Sequence, residues 1–447
     1  MSIETPLPLR KEDGYRGIWS FNGSALSGDE FRYTHYSGGF ATAFAKHIPM
    51  AIYAEEVNKT FFCYAGTPRD GQQIQIMVSF FDHTTGTLPR PTLLMDKGTD
   101  DAHDNPVIML DDAGFVWVFP SAHGNTRSAS IYRSCAPYDI DAFELIQETS
   151  FSYPQPWHLA GRGFIFLHTR YEDGGRSLYW MTSVDGRRWE KPLRLSRIDL
   201  GHYQVSWRWK DKVGTAFNYH PTQRLLNDFR RTSLYYLETD DFGETWRNAD
   251  GAEIAVPLAD VVNDALVHDY ESEELRVYVK DLNFDAEGHP VILYLTSRGA
   301  HSGPENDPRV WMTAHWCGSQ WERREITRSD NNYDAGCLHV EEDTWRVIGP
   351  TEPGPQRYNT GGEMALWISN DRGESWKRDQ LITADSEFNH TFACRPVNAH
   401  PDFHAFWADG HAREVSESRL YFCDRTGKKV YRMPPVMSHD VGEPEAV

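Results

Sequence analysis

The sequence has little of what marks several common protein classes. Its six cysteines are scattered and include no CxxC pair, which excludes a disulfide framework, a zinc ribbon and thiol redox chemistry. No apolar run approaches the length of a membrane span, and the first residues contain no apolar segment of the signal-peptide type. We therefore expect no membrane partner and a cytoplasmic protein as written, or a secreted or periplasmic one where a leader has been removed.

Basic residues are also scarce relative to acidic ones. The chain carries 45 Lys and Arg against 65 Asp and Glu, a formal net charge of -20. Such a field repels polyanions at long range, so we expect no nucleic-acid partner. Only a local basic pocket would let the chain bind a short acidic ligand.

Residue patterns typical of β-strands and one recurring turn motif are the main features that the sequence does contain. Aromatic residues make up 13% of the chain and favour strands. The pattern S/T-x-D-x-G-x-x-W is approximated by "SNDRGESW" at 369–376, "TDDFGETW" at 239–246, "LDDAGFVW" at 110–117 and the shorter "SVDGRRW" at 183–189. Its Asp accepts backbone N–H bonds within a tight turn, its Gly takes a positive φ, and its Trp packs over the loop. Apolar alternating stretches such as "SLYYLET" lie between these turns and indicate strands.

The spacing of these turns predicts the architecture. Turns separated by roughly 30 to 70 residues are typical of a propeller, in which four-stranded blades surround a central channel. We predict an all-β, seven-bladed β-propeller, with six blades as the alternative. Helix signatures are scarce and no linker divides the chain, so we expect residues 1–447 to form one propeller domain that is a monomer. The turn motif indicates a fold and not a function.

One hairpin places two histidines opposite each other. The hairpin lies in residues 100–125, "DDAHDNPVIMLDDAGFVWVFPSAHGN". When residues whose numbers sum to 226 are paired across it, Asp112-Ala113-Gly114 remains as a three-residue loop with Gly at its left-handed position. Pro106 then faces Pro120, where the ladder must stop on both strands. In the same register His103 faces His123, so both histidines leave the same end of the hairpin. Ordinary loop histidines are the alternative interpretation.

Polar and aromatic clusters recur where other inner strands should open onto the channel. They include "SYPQPWH" at 152–158, "GHYQVSWRW" at 201–209 and "QRYNTGGE" at 356–363. Tyr, Arg, Asn and Gln together are typical of carbohydrate pockets, because rings stack on sugars, amides bind hydroxyls and Arg pairs with carboxylates. Buried blade edges would explain each cluster alone. The substrate-binding candidates are Asn105, Asn125, Tyr153, Gln155, Tyr203, Gln204, Arg208, Tyr358 and Arg395.

These segments resemble a known family. "AHDNPVI", "SAHGN", "GHYQVS", "FNYHP", "TEPGPQRYNTGGEMALW" and "RPVNAHPDFHAFWADGH" are similar to the BNR-4 group of propeller polysaccharide lyases, over nearly the whole chain. The resemblance implies a seven-bladed propeller and β-elimination at a uronate, with a rhamnose-α-1,4-glucuronate bond as the common target. It also implies two active-site histidines about twenty residues apart, which match His103 and His123.

The resemblance further implies a supporting tyrosine and arginine. The matching positions are Tyr219 in "FNYHP" and Arg170 in "HTRY", with Tyr153, Tyr203 and Arg208 as rivals. Histidine can act as base or acid near neutrality, and we assign His123 as base and His103 as acid, an order that the residues alone leave open. Arginines could make the groove locally basic: Arg127, Arg170, Arg176, Arg208, Arg357 and Arg395.

The expected partner is an acidic, uronate-containing polysaccharide or oligosaccharide. The net charge favours an unsulfated or short one. Catalysis by histidines requires no cofactor, but the resemblance allows a structural Ca²⁺ or Zn²⁺, for which His268, His390 and His400 are the candidate ligands. Their spacing lacks the compactness of a zinc site, and metal-free polar residues are the alternative.

Two other functions are compatible with the fold. A sialidase-like glycoside hydrolase also carries such turns, and Tyr358 with Glu363 would be its nucleophile pair, although the sequence has no R-I-P motif. A non-catalytic carbohydrate-binding propeller is the second alternative. Only a lyase would form an unsaturated uronate.

Overall fold

Strands joined by tight turns form seven antiparallel sheets that are the blades of a propeller, as the sequence predicts. The structure, a computed structural model, describes residues 9–22, 36–39, 42, 45–69, 71–221 and 231–447. Its helical segments within those ranges are the short 3-10 turns Glu55–Val57, Ala102–Asp104 and Pro304–Asn306. None of the helices described there is long and apolar enough to cross a membrane.

Within each blade the strands pair in chain order, and the first strand lies nearest the channel. Blades 1 and 2 comprise Ala51–Ala54, Lys59–Gly66, Gln75–Asp82 and Thr92–Asp96, then Pro106–Leu110, Phe115–Pro120, Ala129–Pro137 and Phe143–Thr149. Blades 3 and 4 comprise Ser152–Leu159, Gly163–Glu172, Gly175–Ser183 and Leu193–Ser196, then Gln204–Trp209, Lys212–Tyr219, Thr232–Thr239 and Leu266–His268.

Blades 5 to 7 complete the ring. Blades 5 and 6 comprise Arg276–Phe284, Pro290–Ser297, Arg309–Trp316 and Trp321–Ser329, then Cys337–Glu341, Thr344–Glu352, Glu363–Ser369 and Lys377–Leu381. Blade 7 has a fifth strand and comprises Asn389–Cys394, Ala405–Gly410, Leu420–Cys423, Val430–Arg432 and Glu445–Ala446.

The two ends of the chain meet where blade 1 adjoins blade 7. Val397 bonds to both Ala51 and Tyr53 through its backbone, at 2.9 Å in each case. Two small sheets reinforce this junction: Gly17–Asn22 between Tyr36–Gly39 and Glu417–Ser418, and Leu88–Pro89 with Val441–Gly442. Backbone bonds between first and last blades hold the ring closed.

The predicted turn chemistry connects neighbouring blades. Asp111 accepts backbone N–H bonds from Ala113 and Phe115, both at 3.0 Å, and the indole N–H of Trp117 at 2.9 Å. Trp117 is fully buried and its ring covers Gly186, the turn glycine of the next blade, which has a φ of +70°. The glycine is needed there because an added Cβ would lie 2.4 Å from the Trp117 ring.

Replacing Gly186 should therefore destabilise the fold. We expect Gly186→Ala to lower the free energy of unfolding by about 1–3 kcal/mol more than Gly161→Ala, because it adds an overpacked contact to the same backbone strain. Gly161 is the matched control, with a φ of +69° and open space around its Cβ position. Equal losses in denaturant unfolding would contradict this account of the turn.

Candidate active site

The hairpin that carries the two histidines has the predicted register. Val107 pairs with Phe119 and Pro106 with Pro120, and both strands stop at these prolines. Gly114 in the connecting loop has a φ of +80°. The chain therefore leaves both strands at the same end of the hairpin.

His103 and His123 stack directly at this end. Their ring centroids lie 3.9 Å apart and the ring planes differ by 17°. The carboxylate of Asp101 bonds to both rings, with Oδ1 at 2.6 Å from Nδ1 of His103 and Oδ2 at 2.8 Å from Nδ1 of His123. Because a carboxylate only accepts hydrogen bonds, both neutral rings carry the proton on Nδ1 and the lone pair on Nε2.

A partly buried ion-pair network holds this arrangement in place. Arg127 donates to both oxygens of Asp104, at 2.8 and 2.9 Å, and to Asp101 at 3.1 Å. Asp104 is fully buried and accepts the backbone N–H of His123 at 2.8 Å. Asp101 also accepts the backbone N–H of His103, which begins the 3-10 turn. Both histidine backbones are thus tied to one charged network.

The environment lowers the pKa values of both Asp101 and His103. Burial favours a higher pKa for Asp101, but the hydrogen bonds and charges of His103 and His123 outweigh it, and that pKa is lowered. Burial lowers the pKa of His103 below its ordinary value, and the bond to Asp101 opposes this only in part. His103 is therefore a neutral imidazole at neutral pH.

Tyr171 completes the group around His123. Its hydroxyl lies 3.0 Å from Nε2 of His123 and 3.4 Å from the hydroxyl of Tyr153. Burial, followed by the nearby Tyr203, raises the pKa of Tyr171, so its hydroxyl keeps its proton. Arg176 faces Tyr171 across the strand pair, with its guanidinium 5.6 Å from the Tyr171 ring and 4.8 Å from that of Tyr203.

Tyr171 and Arg176 lie beside the histidine pair, where the sequence led us to expect Tyr219 and Arg170. Neighbouring side chains on a strand point to opposite faces, so Arg170 turns away when Tyr171 faces His123. The Arg170 guanidinium instead lies 5.5 Å from the Tyr179 ring. The hydroxyl of Tyr219 donates to Glu271 and does not face the histidine pair.

A cavity lies beside His103 at the channel mouth. Tyr153 and Tyr203, two of the predicted substrate-binding residues, line it. Tyrosine rings from other blades and three cationic side chains lie on the same walls: Tyr278, Tyr333, Lys46, Lys280 and Arg231. The sequence does not identify these five as site residues, because none of them lies in a recognisable local motif.

The amide candidates serve the scaffold. The side chain of Gln155 is fully buried and donates to the backbone oxygens of Lys46 and Gln204, both at 3.1 Å. That of Gln204 is buried and accepts from Thr215 at 3.0 Å. Asn105 is fully buried next to the histidines, while Asn125 donates to the backbone oxygen of Tyr171 at 2.9 Å.

The remaining candidates lie away from the histidine pair. Arg208 and Arg395 line a different cavity, at the other end of the inner strands. Arg395 lies 3.4 Å from the Trp207 ring and bonds to Asp281. Tyr358 contacts Arg357, and the carboxylate of Glu363 accepts bonds from Ser386 instead of activating Tyr358.

The three candidate metal ligands do not come together. Both ring nitrogens of His390 have protein partners, Trp407 at 2.9 Å and Ser386 at 3.0 Å. His268 bonds to Glu273. His400 instead lies with His83 and Asp402, and their ligand atoms are within 4.8 Å of one another. This donor set suits Zn²⁺ better than Ca²⁺, which prefers oxygen ligands.

Comparisons with known proteins identify relatives of this chain. The model of the family described as BNR repeat-containing family member, BNR_4, matches residues 82–329. The chain is 24% identical over 429 residues to an ulvan lyase of Alteromonas sp. (strain LOR), with 84% of this chain and 83% of that protein covered. It is 23% identical over 409 residues to an ulvan lyase of Nonlabens ulvanivorans, with 81% and 83% covered.

Solved structures show the same fold. A PL25 ulvan lyase superimposes with a TM-score of 0.70 at 18% identity, covering 93% of this chain and 96% of that one. The same type of enzyme bound to -[GlcA(1-4)Rha3S]- gives a TM-score of 0.69 over the same shares. Since the family match covers more than half of the 447 residues, the chain belongs to the BNR-4 family of BNR repeat-containing proteins.

Proposed function

We propose that the protein is a polysaccharide lyase that cleaves a rhamnose-α-1,4-glucuronate bond, or a closely related 4-linked uronate bond, by β-elimination. The observation that carries the proposal is the stacked pair of His103 and His123 on one carboxylate, with Tyr171 at hydrogen-bond distance from His123. The ulvan lyases to which the chain is similar support a uronate-containing substrate.

Elimination requires three functions from the protein. A base removes the weakly acidic proton at C5 of the uronate, and an acid protonates the oxygen that leaves C4. Negative charge develops on the carboxylate meanwhile and needs fixed hydrogen-bond donors. The C5–H electrons form the C4–C5 double bond as the C4–O bond breaks, and no water is added.

His103 is the residue best suited to be the base. Asp101 accepts its Nδ1 proton, which leaves the Nε2 lone pair as the proton acceptor. Burial lowers the pKa of His103, so the ring is unprotonated at neutral pH. The ring lines the cavity that would hold the sugar. This division reverses the sequence-based assignment of His123 as base, because His103 lines the cavity whereas Nε2 of His123 faces Tyr171.

Tyr171 is the residue best suited to be the acid. Its raised pKa keeps the hydroxyl protonated, and His123 Nε2 lies 3.0 Å from that hydroxyl. Tyr171 donates its proton to the leaving oxygen and becomes a phenolate, while His103 holds the C5 proton and Asp101 stabilises the resulting imidazolium. Transfer of that proton from His103 to the phenolate by way of solvent, once the products leave, restores both groups.

Arg176 is placed to neutralise the uronate carboxylate. Its guanidinium packs over the ring of Tyr171, the proposed acid, and over that of Tyr203, which lines the cavity. A fixed guanidinium can bind a carboxylate through two parallel bonds. Local cations of this kind reconcile a net charge of -20 with an acidic substrate.

Absorbance of the unsaturated uronate tests the proposal. We expect the purified protein to produce it from ulvan, gum arabic arabinogalactan or glucuronan and not from a neutral polymer. His103→Ala and His123→Ala should each lower the rate by about 10²–10⁴-fold, as loss of acid–base groups does. Binding of the polymer with no absorbance increase from any of them would support a carbohydrate-binding propeller instead.

A further inference from the structure

In the part of the chain that the structure describes, no blade is shared between the two ends of the chain. Blade 1 is formed entirely from residues 51–96, and blade 7 entirely from residues 389–446. Closure of the propeller therefore depends on contacts between these two blades, such as the backbone bonds of Val397, and on the two small sheets beside them. Any further link across this junction would join parts of the chain that are distant in sequence.

Three side chains of metal-binding type meet at this junction. His83 follows the third strand of blade 1, and His400 and Asp402 lie between the first two strands of blade 7. One ligand atom of each residue lies within 4.8 Å of those of the other two. The centroids of the two imidazole rings are 3.8 Å apart, and the Tyr53 ring contacts both, at 5.4 Å from His83 and 5.0 Å from His400. Both blades thus contribute to one compact set of donors.

His83 has one ring nitrogen in use and one that is not. Its Nε2 lies 2.8 Å from the hydroxyl of Thr60, whose side chain is fully buried. Its Nδ1 is buried and has no hydrogen-bond partner among the described residues. A hydrogen bond to the opposite ring nitrogen is what orients the histidines of metal sites and decides which nitrogen carries the proton. When Nε2 donates its proton to Thr60, the lone pair of Nδ1 is free to bind a cation.

His400 and Asp402 provide the other two donors. Nδ1 of His400 lies 3.9 Å from Oδ2 of Asp402 and accepts the backbone N–H of Asp402 at 3.1 Å, a bond that an ion would replace. No Lys or Arg nitrogen of the described residues lies within 4.0 Å of the Asp402 carboxylate. The side chain of Asp402 is 60% exposed, so a cation can reach it from solvent.

The types of donor decide the class of ion. Two imidazoles and one carboxylate suit Zn²⁺ among the divalent ions, whereas Ca²⁺ and Mg²⁺ prefer oxygen donors alone. Three protein ligands leave one tetrahedral position for a water molecule, which the exposure of Asp402 allows. None of the three residues takes part in the proposed elimination.

We propose that His83, His400 and Asp402 bind a zinc ion that links blade 1 to blade 7 and stabilises the closed propeller. The inference does not depend on the proposed lyase function. A link between positions this far apart in sequence constrains the unfolded chain more than a local link does. Because the three ligands meet only in the folded chain, the free energy of zinc binding adds to that of folding.

The affinity for zinc tests the three ligands. Asp402→Asn removes the anionic ligand with little change of size, and His439→Ala is the control because His439 is exposed and outside this group. After a chelator has removed bound metal, competition with a chromophoric chelator measures the Kd for zinc. We expect Asp402→Asn to weaken one zinc site by about 100-fold and His439→Ala to leave it within about twofold. Zinc bound by Asp101, His103 and His123 would be the same in all three proteins, so the difference reports the junction.

Thermal unfolding shows whether the ion stabilises the closed propeller. With zinc about 100-fold above its Kd, we expect the Tm of the unmodified protein and of His439→Ala to rise by about 3 °C, and that of Asp402→Asn by less than about 1 °C. His83→Ala removes the ligand from blade 1 and should lose the same zinc site. Zinc binding that is unchanged in both Asp402→Asn and His83→Ala, or zinc that binds without raising the Tm, would overturn the inference.

Discussion

Asp101→Asn should lower kcat/KM by about 10³-fold or more. One carboxylate accepts the Nδ1 protons of both His103 and His123. An amide offers one acceptor oxygen and one donor group, so at least one ring must adopt the wrong tautomer or rotate. The same exchange beside the catalytic histidine of a serine protease costs about 10⁴-fold. Initial rates of unsaturated uronate formation measure the effect.

The pH profile shows whether Asp101 acts through His103. The bond to Asp101 raises the pKa of His103, so its loss should lower that pKa and move the acidic limb of kcat/KM to lower pH. Asp112→Asn, on the exposed loop at the other end of the same hairpin, is the control and should leave the rate within about twofold. A loss below tenfold, or a limb that moves to higher pH, would contradict the role given to Asp101.

Tyr171→Phe should lower kcat by about 10²–10³-fold with little change in KM. The substitution removes the hydroxyl that lies 3.0 Å from His123 Nε2 but keeps the ring in place. Loss of a positioned general acid typically costs this much. Tyr179→Phe is the control, because the Tyr179 hydroxyl donates to Glu172 on the neighbouring strand and not to the histidines.

A change of leaving group identifies the step that Tyr171 serves. When the leaving group at C4 of the uronate is a phenol, the departing phenolate needs little protonation. Tyr171→Phe should therefore lower kcat on this substrate by less than about tenfold. For the unmodified enzyme, kcat on the sugar and phenol leaving groups should differ much less than it does for Tyr171→Phe. Equal losses on the sugar and phenol leaving groups would mean that Tyr171 is not the acid.

The central hairpin was predictable because its determinants are local. Gly114 in the loop and the opposed prolines, Pro106 and Pro120, set the register, and the register sets where His103 and His123 emerge. The role of Asp101 was not predictable, although it lies two residues from His103. Its carboxylate reaches both rings only because of the 3-10 turn that it begins.

Contacts between blades explain what sequence reasoning missed. Tyr171 directly follows Arg170, the residue that the sequence analysis selected. Which of the two side chains reaches the histidines depends on which face of their strand is turned toward blade 2. Lys46 and Lys280 come from opposite parts of the chain and meet only when the ring closes around the channel. Neither carries a motif, so the sequence predicted the sign of the overall charge but not that of the cavity.

The most direct test is to identify the product formed in heavy-oxygen water. We predict products in which the new non-reducing end is an unsaturated uronate, one water lighter than a hydrolysis product and free of the heavy isotope at the cleaved bond. Mass spectrometry with the absorbance of the double bond measures both, and Asp101→Asn should form about 10³-fold less product. Saturated ends, or heavy oxygen at the cleaved bond, would show hydrolysis and contradict the elimination mechanism.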